Sequence, residues 1–169
     1  MKNLTVRPAT MEDIPAIQDI TLEAFNKYAR DLGMPEKVKA LHETTKDVEY
    51  DLTHKHVFIG LLGDEKLGSI RFEILPGNIA YISRFGVKLI AQGCGMGRAL
   101  MGAVEKACRE MGVTAIVLHT SSRMSSLVRF YYGQGYYVHS TTTDKGYIRA
   151  LLVRDLTPGE KDFSVADNK

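Results

Sequence analysis

Apolar positions along the chain follow two periods. Near the start, Leu4 and Val6 alternate with Thr5 and Arg7 before Pro8, which predicts a short strand. Behind Thr10 and Asp13, placed as a capping box-like pair, Ile14, Ile17, Ile20 and Leu22 begin a helical pattern that predicts a first helix to about residue 28. Gly33-Met34-Pro35 interrupts it. Residues 35–52 read as a second, more polar helix with Val38, Leu41, Val48 and Leu52 on its apolar side. From His56 the period shortens: residues 57–62 and 67–75 predict a hairpin around Gly63-Asp64-Glu65-Lys66, and after Pro76-Gly77-Asn78 residues 79–87 predict the next strand.

The most regular helical pattern comes next. Met96, Leu100, Ala103, Val104, Ala107, Cys108 and Met111 share one face, while Arg98, Glu105, Lys106, Arg109 and Glu110 lie mainly on the other, and Gly112 is placed to end the helix. Residues 115–119 form a short apolar run of the buried-strand type, ending in His119. A short helix over 125–132 and a hairpin of 136–141 with 147–156 close the pattern. Meandering strands followed by strand-helix-strand units place the chain in the α/β class. The expected architecture is a mixed, mostly antiparallel sheet of six to seven strands flanked by about four helices. One domain over residues 1–158 is expected, with a polar, frayed tail over 159–169.

Composition narrows the function. With 44% hydrophobic and 25% charged residues in 169, the chain reads as an ordinary globular protein. Its net charge is +2, and its basic residues form no long run beside stacked aromatics, so no nucleic-acid partner is expected. No apolar stretch approaches a membrane span, and the expected compartment is the cytoplasm. Cys94 and Cys108 make neither a disulfide framework nor a metal site. Cys94 at a helix start could carry a reactive thiol, yet it fits better as a variable position of a loop and is assigned no catalysis.

That loop is Gln92-Gly93-Cys94-Gly95-Met96-Gly97, between an extended segment and the regular helix. Unpartnered amides at a helix start, together with the positive end of its dipole, attract anions, and glycines let phosphate approach them. A P-loop would require Lys and Ser or Thr after the last glycine, where Arg98 and Ala99 stand. A dinucleotide fingerprint would require a different glycine spacing and an acid about 20 residues on. Gln92-x-x-Gly95-x-Gly97 resembles the Arg/Gln-x-x-Gly-x-Gly/Ala motif of the GCN5-related N-acetyltransferase (GNAT) family, whose loop holds the pyrophosphate of acetyl-CoA. Residues 130–136, Phe-Tyr-Tyr-Gly-Gln-Gly-Tyr, are similar to that family's second signature, with Tyr136 in place of the usual phenylalanine.

The resemblance implies an acyltransferase with acetyl-CoA as co-substrate and a small-molecule or peptide amine as acceptor, the amine attacking the thioester directly. It implies cofactor contacts from Phe85, Gly86 and Val87 along the pantetheine arm, and from Gln92, Gly93, Cys94, Gly95, Met96, Gly97 and Arg98 at the pyrophosphate. Where the family commonly has asparagine the chain has Met124, and Ser125 or Ser126 beside it could substitute. Tyr131 stands at the family's acid position, and a phenol with pKa near 10 can donate a proton to a forming thiolate. The base stays open among Glu73, Tyr81 and His119. For the acceptor, Asp47, Glu49 and Asp51 form an alternating acidic group suited to attracting a cationic amine. Homodimerisation stays open. So do a CoA-binding regulatory module without turnover and a nucleotide-binding protein using the same loop.

Overall fold

The segments of period two become seven strands, and those of helical period become four helices, in the computed structural model of the protein, which describes residues 2–169. In chain order these are β1 (Leu4–Pro8), α1 (Ile14–Leu32), α2 (Thr45–His54), β2 (His56–Leu62), β3 (Glu65–Leu75), β4 (Ile79–Val87), α3 (Met96–Glu110), β5 (Ala115–Ser121), α4 (Ser125–Gly133), β6 (Tyr137–Thr142) and β7 (Arg149–Asp155). The strands form one sheet in the order β1-β2-β3-β4-β5-β7-β6. Pairing is antiparallel at β1–β2, β2–β3, β5–β7 and β6–β7, and parallel at β4–β5. Two compact units make up the chain. The first runs to Phe72 and resumes over Ser83–Val104, and the second comprises Glu73–Ile82 with Glu105–Lys169.

In the first unit Ile14, Ile17 and Ile20 of α1 are buried as their spacing predicts, clustering with Val48 of α2 and Val57 and Ile59 of β2, whereas Leu22 of the same pattern is exposed. Asp13 anchors the helix start. It accepts two bonds from Arg7 at 2.8 and 3.0 Å and one from the Thr10 amide at 2.8 Å, and it pairs with Lys66 at 2.6 Å. The Arg7 guanidinium, helped by Lys66 and Thr10, outweighs burial and holds the Asp13 carboxyl well below the usual carboxylate range. The helix runs past residue 28 to Leu32, where Gly33 at φ 74° turns its N–H back to the Ala29 carbonyl. Gly68 of β3 lies beneath α3, where a Cβ would come within 2.8 Å of Leu100 Cδ1 and Met96 Cγ.

The expected second helix over 35–52 is broken. Residues 35–37 and 39–42 are short 3₁₀ turns separated by Val38 in the extended region, and α2 begins only at Thr45. The cause is local. Thr44 and Asp47 form a complete capping box, with the Asp47 amide donating to Thr44 Oγ1 at 3.2 Å and the Thr44 amide to Asp47 Oδ2 at 2.8 Å, which fixes a helix start in mid-pattern.

In the second unit, Leu75, Ile79 and Tyr81 pack with Ala115 and Val117 of β5 and with Leu151 and Val153 of β7. The same cluster takes Phe163 and Ala166, both buried, from a 3₁₀ turn over Phe163–Ala166. Residues 159–169 are therefore not frayed. Lys169 adds an ion pair from its ammonium to Glu73, and its main-chain oxygen accepts from Arg149 at 3.1 Å.

Candidate active site

The glycine loop belongs to the first unit and is built by backbone geometry. Gly93 and Gly95 sit at φ 81° and 91°, where L side chains are strained. A Cβ on Gly93 would meet nothing within 4 Å, and one on Gly95 only Leu4 at 3.8 Å. Both glycines therefore serve the path of the backbone and leave open space above it. The first bond of the α3 ladder runs from the Ala99 amide to the Gly95 carbonyl at 2.9 Å, so the amides of residues 96–98 precede the ladder. Met96 is buried, while Gln92, Cys94 and Arg98 are exposed. Cys94 Sγ lies 2.8 Å from the Ala91 carbonyl, so the thiol braces the loop.

Gly86 is bare for a different reason. A Cβ there would stand 2.9 Å from Ala24 Cβ, so α1 packs directly on the backbone of β4. Phe85 and Val87 flank it, both half-buried. Just before them Arg84 adopts φ 50°, an unusual angle for a residue with a side chain. Its Nε donates to Glu43 Oε2 at 3.0 Å.

Glu43 joins a buried charge cluster that the sequence reading passed over. Arg71, fully buried, forks onto Glu43 with two bonds of 2.7 Å and reaches Asp51 Oδ2 at 2.8 Å. Burial pushes the Glu43 carboxyl up, but the bonds and charges of Arg71 and Arg84 outweigh it and bring it below its ordinary value. A charged residue in the middle of the apolar run 67–75 was the available signal. The acidic group expected at residues 47, 49 and 51 is dispersed by this arrangement. Asp47 caps α2, Asp51 faces Arg71 and, at 3.5 Å, Lys55, and Glu49 stays on the exposed side of α2.

In the second unit Tyr131 is buried on α4, edge-on to Phe130 at 5.4 Å and tilted against Tyr136 at 6.0 Å. Ser125 and Ser126 are exposed on the first turn of the same helix. Of the base candidates, Glu73 is engaged by Lys169. Tyr81 Oη and His119 Nδ1 share a hydrogen bond of 2.7 Å. Burial, with help from the Arg149 charge, brings the imidazole of His119 down to about 4. Such a histidine is neutral at pH 7 and holds a proton weakly. Taking one from an alkylammonium of pKa near 10.4 would be uphill by about six units, or roughly 8 kcal/mol.

No helix among the described residues is long and apolar enough to cross a membrane. No curated protein sequence matches the chain. Among solved structures, it is similar to the PaiA N-acetyltransferase of Thermoplasma acidophilum in complex with coenzyme A, at TM-score 0.81 and 15% identity over 90% of this chain and 99% of that one. The ribosomal-protein-S18-alanine N-acetyltransferase of Escherichia coli gives 0.74 and 15% over 95% and 99%. A GNAT family acetyltransferase of Elizabethkingia anophelis with acetyl-CoA bound gives 0.70 and 16% over 91% and 99%. At these identities the likeness is one of fold. The family model of the acetyltransferase (GNAT) family matches residues 19–136, most of the chain and both glycine-bearing motifs, and the protein belongs to that family.

Proposed function

We propose that the protein is an N-acetyltransferase that moves an acetyl group from acetyl-CoA to a primary amine by direct attack on the thioester. The observation that carries this reading is the pair of left-handed glycines, Gly93 and Gly95, opening the N-terminus of α3 with three amides ahead of the helical ladder. Diphosphate suits such amides, and among the described residues only Leu4 comes within 4 Å of a Cβ position on either glycine, at 3.8 Å from that on Gly95. The amides of residues 96–98 would hold the pyrophosphate, and the backbone of Phe85–Val87 would hold the pantetheine arm as an added strand does. When bound, the coenzyme supplies an activated acyl group. Tyr131 would hold the proton destined for the departing sulfur. Because His119 is a weak base and Glu73 is engaged, the amine would lose its proton largely before attack.

The deciding experiment measures melting shifts and thiol release. Acetyl-CoA at 100 times its dissociation constant stabilises a protein by about 2.7 kcal/mol, and NAD and ATP should not match it. Gly95→Val, with a side chain above the loop and a strained φ, should abolish the shift. Thiol should appear from acetyl-CoA with at least one class within a panel of polyamines, amino acids, aminoglycosides and peptides. Equal shifts with ATP would favour a nucleotide-binding protein. Acetyl-CoA binding without thiol release would favour a regulatory module.

A further inference from the structure

A cleft of about 350 Å³ opens within the first unit, between the 39–42 turn, α2 and Ser83 and Arg84 of β4. That volume is in the range of small-molecule sites. Its charges are unevenly committed. All three of its carboxylates are engaged: Glu43 by Arg71 and Arg84, Asp51 by Arg71 and Lys55, and Asp47 by the Thr44 amide. Two of its cations retain donors. Among the described residues Arg84 uses only Nε, on Glu43, and Lys39 is exposed with no partner. Ser83 Oγ, also of the cleft lining, is buried with no hydrogen-bond partner among the described residues. Unspent guanidinium, ammonium and hydroxyl donors in one cleft match an anion, and an arginine fork matches a carboxylate in particular.

We propose that this cleft selects the acceptor, and that it takes amines carrying a carboxylate, such as free amino acids, with Lys39 and Arg84 binding the carboxylate. The proposal rests on the acetyltransferase reading for the word acceptor, though not for the binding itself. Arg84 immediately precedes Phe85–Val87, so a ligand held by it lies next in chain to the strand segment assigned to the pantetheine arm. The Glu43 bond fixes the guanidinium through Nε and leaves both Nη groups of Arg84 for a ligand.

Saturation-transfer NMR on the protein, with and without saturating coenzyme A, tests the site using leucine, phenylalanine and methionine against their carboxamides. Expected is binding of the acids at least tenfold tighter than the amides. Lys39→Gln, an exposed change that spares the fold, and Arg84→Gln should each weaken the acids at least fivefold while acetyl-CoA binding moves less than twofold. Equal binding of acid and amide, no binding of either, or acid binding unmoved by Lys39→Gln and Arg84→Gln would overturn the proposal. Thiol release from acetyl-CoA with the same pairs and with spermidine separates the two readings. Turnover of spermidine alone would sink the carboxylate proposal and keep the enzyme, whereas tight acid binding without any thiol release would do the reverse.

Discussion

Tyr81 Oη and His119 Nδ1 lie 2.7 Å apart, joining the two strands that run parallel in the sheet. The register there pairs Tyr81 with Val117, two residues before His119, so the bond is diagonal across neighbouring backbones. The histidine in this bond is held neutral by its surroundings. Burial, seconded by Arg149, brings the imidazole from 6.5 to about 4. Folded below its unfolded value, such a group binds its proton first in the unfolded chain. The stability it contributes is complete above pH 6.5 and is lost as pH falls from 6.5 towards 4.

The His119 resonances should therefore stay in their neutral form from pH 8 to pH 5 in an imidazole NMR titration, and His119→Gln should flatten the fall in urea midpoint between pH 7 and pH 5. A His119 titration midpoint near 6.5 would refute this. Asp13 and Glu43, with depressed values, act in the same direction but in a more acidic window.

Arg71 is the cation on which two side chains from the helical segment converge. Replacing it by methionine strands Glu43 and Asp51 in a buried setting, and breaking such a pair typically costs about 3–5 kcal/mol. Urea unfolding of Arg71→Met should show a loss of that order. Adding Glu43→Gln should recover part of it, so the double variant is less destabilised than the two single costs added together. Strict additivity would mean that the two residues do not act on one another.

Gly86→Ala places a methyl 2.9 Å from Ala24 Cβ, which has no rotamer with which to yield. Overpacking of this kind costs about 1–3 kcal/mol. Thermal unfolding of Gly86→Ala, alone and with Ala24→Gly, reads it, and the second change should relieve the first despite its own helical cost. A neutral Gly86→Ala would show that the two elements separate readily.

Tyr131→Phe keeps the ring that packs on Phe130 and Tyr136 but removes the hydroxyl. In steady-state assays kcat should fall by about 10²-fold, a usual scale for a general acid, with acetyl-CoA affinity nearly unchanged. An unaltered kcat would leave Tyr131 a packing residue.

Much of this was legible in the residues. Periods in the apolar pattern located all seven strands and the helix behind the glycine loop, because the inner strands and that helix bury a face or stripe and the edge strands β1 and β6, though only half-buried, keep the alternation. What escaped was decided by particular local or distant partners. Thr44 and Asp47 start a helix inside what looked like one continuous pattern, since a cap competes with the turn before it. Phe163 and Ala166 are too sparse among charged neighbours to signal burial, and only the cluster around Val117 and Val153 reveals their place. The acidic alternation at 47, 49 and 51 looked like one surface. Yet one member caps, one faces a buried arginine, and one remains exposed, distinctions set by residues 20 or more positions away in the case of Arg71.

The Glu43 clamp also bears on redesign. If the proposed cleft selects the acceptor, a tempting way to change that choice is to transplant the 33–55 stretch from a relative as a cassette. Glu43 and Asp51 are inside such a cassette, but Arg71 and Arg84, which they neutralise, are outside it on β3 and β4. A donor segment lacking those two acids would leave an unpaired cation with no exposure to water, and would remove the carboxylate that holds the Arg84 side chain. The exchangeable module is thus discontinuous in sequence: the loop and the two arginines have to travel together.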